Sequence, residues 1–322
     1  MTTALQTDPE CDGVAAVGTL LDRRVMRGAA GAPKRPLVRY HGGKWKLAPW
    51  ILRHLPQHRV YVEPYGGGGS VLLQKPRSYA EVYNDMDGEI VNLFRVARDH
   101  GEALARAAEL TPFARAEFAE AYEPDGDPME QARRTLIRAF MGFGSAGASG
   151  QVTGFRANSN RSGTTPAHDW MNFPDHLRAV VQRLRGVVIE NRDALDVMRH
   201  QDGPDTVHYV DPPYVHETRH MRERSQAYRH EMTDDQHREL AEVLASLQGA
   251  VVVSGYRCPL YDELFDGWQR IDAAAHADGA RDRVESLWLS RGCPQAGLFD
   301  THNAEVTRLA EGQSGGAQRS EG

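Results

Sequence analysis

Residues 60–73 read VYVEPYGGGGSVLL, and the succession of residue types in this stretch sets the fold class. A β-rich run ends at Glu63, Pro64 and Tyr65 follow, four glycines occupy 66–69, and Val71-Leu72-Leu73 predicts the start of an apolar helix. Glycines at such a turn let backbone N–H groups approach a ligand closely, and a helix N-terminus favours negative charge. A nucleotide-like ligand is therefore expected. About 20 residues further on, after the β-rich YAEVYN (79–84), Asp85 stands where a carboxylate accepts hydrogen bonds from ribose hydroxyls. Val71 occupies the place of the third glycine, so the loop departs from an NAD or FAD fingerprint. A ligand-free glycine turn and a helix-capping Asp85 are the structural alternatives.

Outward from this unit, further short β-rich runs alternate with helical patterns: GVVIE (186–190), TVHYV (206–210), AVVVS (250–254) and SLWLS (286–290). The alternation predicts an α/β fold with a doubly wound, largely parallel sheet. Thr233 and Gln236 have capping-box spacing ahead of a helix, and Leu47, Trp50, Ile51 and Leu55 recur at helical spacing as core packing, with Pro49 tolerated in the first turn. From about 100 to 185 the sequence shows helical patterns and then a Gly/Ser/Asn/Arg-rich stretch without a strand, which predicts an inserted, mainly helical subdomain over 101–185. The organisation expected is a catalytic domain over 36–100 and 186–291, interrupted by that insert. Residues 1–35 and 292–322 lack apolar periodicity and are expected to be disordered.

The stretch YVDPPY (209–214) carries the second constellation. Asp211 leaves an apolar strand at its carboxyl end, where open α/β sheets bind ligands. Pro212 and Pro213 fix φ and remove two N–H donors, which stiffens the turn and leaves carbonyls to accept. Tyr214 adds a π face. An acceptor carboxylate, a fixed carbonyl and an aromatic ring suit a planar group with an exocyclic NH₂, such as a nucleobase. A strand ending in an Asx-Pro turn, with Tyr214 as packing, is the structural alternative.

RYHGGKWKL, VEPYGGGGSVLL, YNDMDGEIVNLF and YVDPPY, in that order, resemble the Dam-type (D12 class, alpha group) DNA adenine N6-methyltransferases, and the likeness runs over roughly 37–291. The resemblance implies a Rossmann-like methyltransferase sheet whose insert is a target-recognition subdomain, and S-adenosylmethionine as methyl donor, with S-adenosylhomocysteine as product and no metal. It implies that Tyr40, Gly43 and Lys44 contact the cofactor, Lys44 near its carboxylate, and that Glu63, Pro64, Tyr65, Gly66, Gly67 and Gly68 form the cofactor loop. Asp85 would bind the ribose, Asp193 and Ala194 the cofactor's adenine, and Asp211 through Tyr214 the target base. Three departures stand out: His41 follows Tyr40 in place of a small residue, Gly66 broadens the glycine run, and Gly255 occupies a position often held by Asn. Cytosine N4 methylation, an inactive DNA-binding relative and, from the glycine turn alone, a nucleotide-dependent oxidoreductase are the rival readings.

Global charge is −6, so double-stranded DNA as a partner requires local positive charge. Residues 131–185 hold Arg133, Arg134, Arg138, Arg156, Arg161, Arg178, Arg183 and Arg185 against Asp169 and Asp175 as the only acids. Arg138, Arg156, Asn158, Asn160 and Arg161 are the candidate DNA contacts from this segment, and Tyr228 is a further one implied by the resemblance. Three scattered cysteines form no metal or disulfide pattern, and no apolar run reaches membrane-spanning length. A cytoplasmic, nucleoid-associated monomer is expected, and a cognate restriction endonuclease is an optional partner that the resemblance implies.

Overall fold

The computed structural model describes residues 32–157, 163–218, 229–277 and 281–293. Most of both expected disordered ends lies outside these described residues, as do Asn158, Asn160, Arg161 and Tyr228. Five parallel strands follow the β-rich runs: β1 (Val60–Glu63), β2 (Ala80–Asn84), β3 (Val187–Glu190), β4 (Thr206–Val210) and β5 (Ala250–Gly255). Every residue of β4, and all but the first of β5, is buried, as an apolar strand covered on both faces requires. Two antiparallel strands, β6 (Gln269–Ala277) and β7 (Arg281–Leu289), complete a seven-stranded sheet of order β3-β2-β1-β4-β5-β7-β6. Sequence reading caught only the last four residues of β7 and missed β6, whose QRIDAAAHA alternates Ile271 and alanines with polar residues, a weak signal because alanine is a poor strand former.

Winding direction reverses between β1 and β4. The chain passes outward through β2 and β3, returns to place β4 beside β1 with Val62 opposite His208, and then continues outward through β5. The crevice beyond the carboxyl ends of β1 and β4 is thus the topological switch point of the sheet.

Around the sheet lie α1 (Ala48–His54), α2 (Gly88–Leu110), α3 (Arg115–Glu120), α4 (Pro128–Met141), α5 (Pro166–Met171), α6 (Phe173–Leu184), α7 (Ala194–Gln201), α8 (Asp234–Ser246) and α9 (Pro259–Leu264). Thr233 and Gln236 form the expected capping box on α8, and Pro49 sits in the first turn of α1. The predicted helix after the glycine loop does not form. Residues 70–74 make turns instead, with Leu73 N donating to Gly69 O and Lys75 N to Val71 O. Leu72 N is taken by Glu63, its carbonyl by Arg183, and Pro76 follows, so the backbone groups a helix would use have other partners.

The boundary expected at residue 101 falls at a break in α2, where His100 leaves helical geometry (φ −133°, ψ 32°). A Cβ on Gly101 would lie 2.3 Å from Val181, so glycine lets α2 and α6 touch backbone to side chain. Leu136, Ile137, Met141, Phe173 and Leu184 belong to the same buried apolar cluster as Tyr61, Tyr83 and Phe94, which joins these helices to the sheet. No helix among the described residues is long and apolar enough to cross a membrane.

Candidate active site

The switch-point crevice is a cleft of about 460 Å³, and it gathers residues the sequence places far apart: Tyr40, Gly43, Lys44, Glu63, Tyr65, Gly66, Gly67, Gly68, Asp85, Asp193, Ala194, Asp211 and Pro213 all line it. Tyr40, Gly43 and Lys44 come from the segment ahead of α1, and the others from a strand end or the loop after it. Gly66 and Gly67 are required by packing, because an added Cβ would meet Tyr83 at 2.1 Å and Tyr40 at 2.8 Å respectively. Gly67 also has φ +47°. Tyr83 OH donates to Gly67 O at 2.7 Å.

Asn84, the last residue of β2, clamps the loops around the cleft. Its amide donates to Pro64 O (2.9 Å) and Arg192 O (3.1 Å), and its carbonyl accepts from Arg192 N (2.9 Å). Pro64 thus acts through its carbonyl and does not line the cleft. Asp85 accepts from Gly67 N (2.7 Å) and Asp87 N (2.8 Å), and burial pushes its pKa up to about 6. The cap of α2 is Asp87, not Asp85. Asp193 both lines the cleft and caps α7 through Leu195 N and Asp196 N. Glu63 Oε2 accepts from Tyr61 OH (2.7 Å) and Leu72 N (2.9 Å), yet desolvation outweighs both and holds its carboxyl up at about 8.

The other wall is built on Asp211. Lys44 Nζ lies 3.0 Å from its Oδ1, and Ser254 Oγ donates to the same oxygen at 2.8 Å. Oδ2 has no partner among the described residues. Lys44 also donates to Gly42 O at 2.7 Å and sits 4.7 Å from the centre of the Tyr214 ring. Lys44, which the resemblance places near the cofactor's carboxylate, lines the cleft and is paired there with Asp211. Tyr214 donates from its hydroxyl to Glu285, and Lys44 reaches the same carboxylate at 3.8 Å. Pro212 and Tyr214 are buried outside the cleft lining, the tyrosine packed edge-on against Tyr256.

Arg138 and Arg156 are not displayed to a ligand. Arg138 is 3 % exposed and donates to Glu89, Ala121 O and Thr135; Arg156 is 7 % exposed and donates to Phe140 O. Arg133 and Arg134 are likewise paired, with Glu117 and Glu130. The arginine-rich count misled because the acids that neutralise it lie outside 131–185, Glu89 on α2, Glu117 on α3 and Glu130 in the first turn of α4, and these guanidinium groups hold helices together.

Sequence reading missed Asn84, Glu285 and Arg229. Arg229 lines the cleft and bridges Asp87 (2.9 Å) and Glu89 (2.8 Å) at the start of α2. Glu285 had a legible signal: at period two it shares a strand face with Leu287 and Leu289, and an acid on a core-facing row calls for a partner.

Comparison with known proteins agrees with this arrangement. Residues 40–277 match the family described as D12 class N6 adenine-specific DNA methyltransferase. The chain is similar to the DNA adenine methylase of Escherichia coli, 25% identical over 186 residues that cover 56% of this chain and 65% of the relative. It is also similar to the DNA adenine methylase of Serratia marcescens, 31% identical over 74 residues (23% and 27%). A third relative is the Type II methyltransferase M1.LlaDCHI of Lactococcus lactis, 34% identical over 71 residues (22% and 25%). The matched stretch spans less than two thirds of each relative's length. With the family match running from Tyr40 across both walls of the cleft, the chain belongs to the D12 class of N6 adenine-specific DNA methyltransferases.

Proposed function

We propose that this chain methylates the exocyclic N6 of an adenine in double-stranded DNA, with S-adenosylmethionine as the donor. The observation that carries the reading is Asp211, an acceptor carboxylate fixed by Lys44 and Ser254 on the rim of a cleft whose opposite wall is the glycine loop and Asp85. The cleft volume suits a nucleoside-sized ligand, for which pockets span roughly 300–1,000 Å³. Asp85 and Asp193 supply acceptors and negative charge for a cationic nucleoside, and Glu63 adds a neutral polar group to the same lining. When bound, S-adenosylmethionine supplies an electrophilic methyl group.

The chain's own groups do the rest. Asp85 accepts from ribose hydroxyls, and Asp193 and Ala194 border the cofactor's adenine. Lys44 and Ser254 both hold Oδ1 of Asp211, which leaves Oδ2 to accept one N–H of the target amine; the Pro212 carbonyl accepts the other. These bonds draw the nitrogen toward tetrahedral geometry and aim its lone pair at the donor side of the cleft. Positioning of this kind can lower a barrier by about 7–11 kcal/mol. Asp211 is an acceptor here and not a strong base, because an ammonium already neutralises it, and the amine proton leaves after transfer. The target base must be flipped from the duplex, at a cost of about a few kcal/mol. We assign DNA reading to 101–185, because the turn at Gly150 abuts Arg229 of the cleft wall.

The test is transfer of label from radiolabelled S-adenosylmethionine to unmethylated genomic DNA, followed by nucleoside identification. Label should appear in N6-methyladenine and vanish with Asp211→Ala. Label in another base, or turnover retained by the variant, overturns the proposal.

A further inference from the structure

The catalytic wall contains a second carboxylate that neither the D-P-P-Y tetrapeptide nor the glycine loop supplies. Glu285 lies on β7, a strand joined antiparallel to the parallel part of the sheet, and is 3 % exposed. Its carboxylate accepts from Tyr214 OH and lies 3.8 Å from Lys44 Nζ, while Lys44 is 3.0 Å from Asp211 and 4.7 Å from the centre of the Tyr214 ring. Four side chains from three separate segments thereby meet around Lys44.

Packing alone does not explain an acid at this place. Leu287 and Leu289 continue the same face of β7 as buried apolar residues, and a carboxylate in that row is unfavourable unless its charge is matched. Tyr214 and Lys44, two of its partners, are groups of the catalytic wall. The Tyr214 hydroxyl bond sets the tilt of the ring against Tyr256. The approach to Lys44 holds its ammonium between two carboxylates, which fixes the Nζ that in turn holds Oδ1 of Asp211.

We propose that Glu285 is a positioning residue for methyl transfer, acting through Lys44 and Tyr214 to orient the wall that holds the target amine. The inference rests on the methyltransferase reading of the site. Glu285→Gln keeps an acceptor for Tyr214 but removes the charge beside Lys44; Glu285→Leu removes both; Tyr214→Phe removes the hydroxyl bond without touching β7. Single-turnover methylation of DNA, cofactor affinity by titration calorimetry and thermal midpoint should be measured for each.

The expected result is unchanged cofactor affinity with a transfer rate reduced about ten- to a hundredfold in Glu285→Leu and less in Glu285→Gln. In Glu285→Gln and Tyr214→Phe the transfer rate should fall while cofactor affinity and thermal midpoint stay at the wild-type values. A purely structural role would lower the rate only in step with the thermal midpoint. If Glu285→Leu fails to fold, Glu285→Gln and Tyr214→Phe carry the test. Folded variants that transfer at the wild-type rate, or whose rate loss follows lost cofactor affinity, overturn the inference alone. A wild type that transfers no label to DNA overturns the reading of the site, and the inference with it.

Discussion

At Glu63, the burial that packs the side chain against Tyr61 and Leu72 also keeps its carboxyl protonated at neutral pH, since its pKa is held at about 8. Asp85 is pushed up less, to about 6. Both folded values lie above the ordinary ones, so each acid binds a proton in the native state over a range where the unfolded chain has lost it, and stability falls as pH rises through that range. For Asp85 the range closes near pH 6, and for Glu63 near pH 8. Between pH 6.5 and 8 the slope therefore belongs to Glu63, with an upper bound of about 1.4 kcal/mol per pH unit. Glu63→Gln, which copies the neutral carboxyl, should flatten the decline in urea-unfolding free energy over this interval; an equally steep decline in the variant would show that another group titrates. Asp85 gives a binding prediction of the opposite sense. As an acceptor for ribose it works best ionised, so affinity for S-adenosylmethionine should weaken as pH falls through about 6. Asp85→Asn should weaken binding about tenfold at pH 8, the loss of roughly one charge-assisted bond, and remove the dependence near pH 6. Titration calorimetry from pH 5 to 8 measures both.

Elements differ in how far their own residues announce them. The glycine loop and the D-P-P-Y turn were legible because their chemistry is local: consecutive residues set the backbone, and the strand ends put both at one crevice. β6 was not legible, since the apolar row of Gln269–Ala277 is mostly alanine, a poor strand former, and the segment gains its strand form from pairing with β7. The helix expected after the glycines failed for a related reason, because Glu63 and Arg183 claim the backbone of Leu72 from distant positions. Arg138 on α4 shows the same limit in charge. Its acid partner Glu89 is 49 positions away on α2, where no helix-face count would find it. Arg138→Ala should leave Glu89 and the Ala121 carbonyl short of a buried donor and destabilise the protein by about 3–5 kcal/mol, the usual result of removing one partner of a buried pair. The slope of DNA affinity against salt should stay the same, because a guanidinium 3 % exposed neutralises no phosphate. Unchanged urea midpoints together with a shallower salt slope would return Arg138 to the DNA-facing surface.

Across the whole molecule, the helices between β2 and β3 are bound to the sheet by two kinds of contact. One is the apolar cluster that runs from Tyr61 and Tyr83 through Phe94 to Leu136, Phe173 and Leu184. The other is Arg183 on α6, which donates to both oxygens of the buried Glu81 on β2 (2.6 and 2.9 Å) and to Leu72 O behind the glycine loop (2.6 Å). Lys75 lies 2.7 Å from the same carboxylate, so Glu81 sits between two cations and its pKa is lowered despite burial. An insert held in this way should not unfold by itself, since exposing it would also strip one face of the sheet and break the Glu81 cluster. The expected behaviour is a single transition in urea, with coincident midpoints for Trp170, inside the insert, and Trp288, on β7, when each is followed as the sole tryptophan reporter. Arg183→Ala should lower both midpoints together, by the few kcal/mol that a broken buried pair removes, and should loosen the backbone of the cofactor loop through Leu72. A Trp170 transition that precedes that of Trp288, or an Arg183→Ala loss seen by Trp170 alone, would mean that the insert is a separate folding unit and that the shared cluster is too weak to couple it to the catalytic sheet.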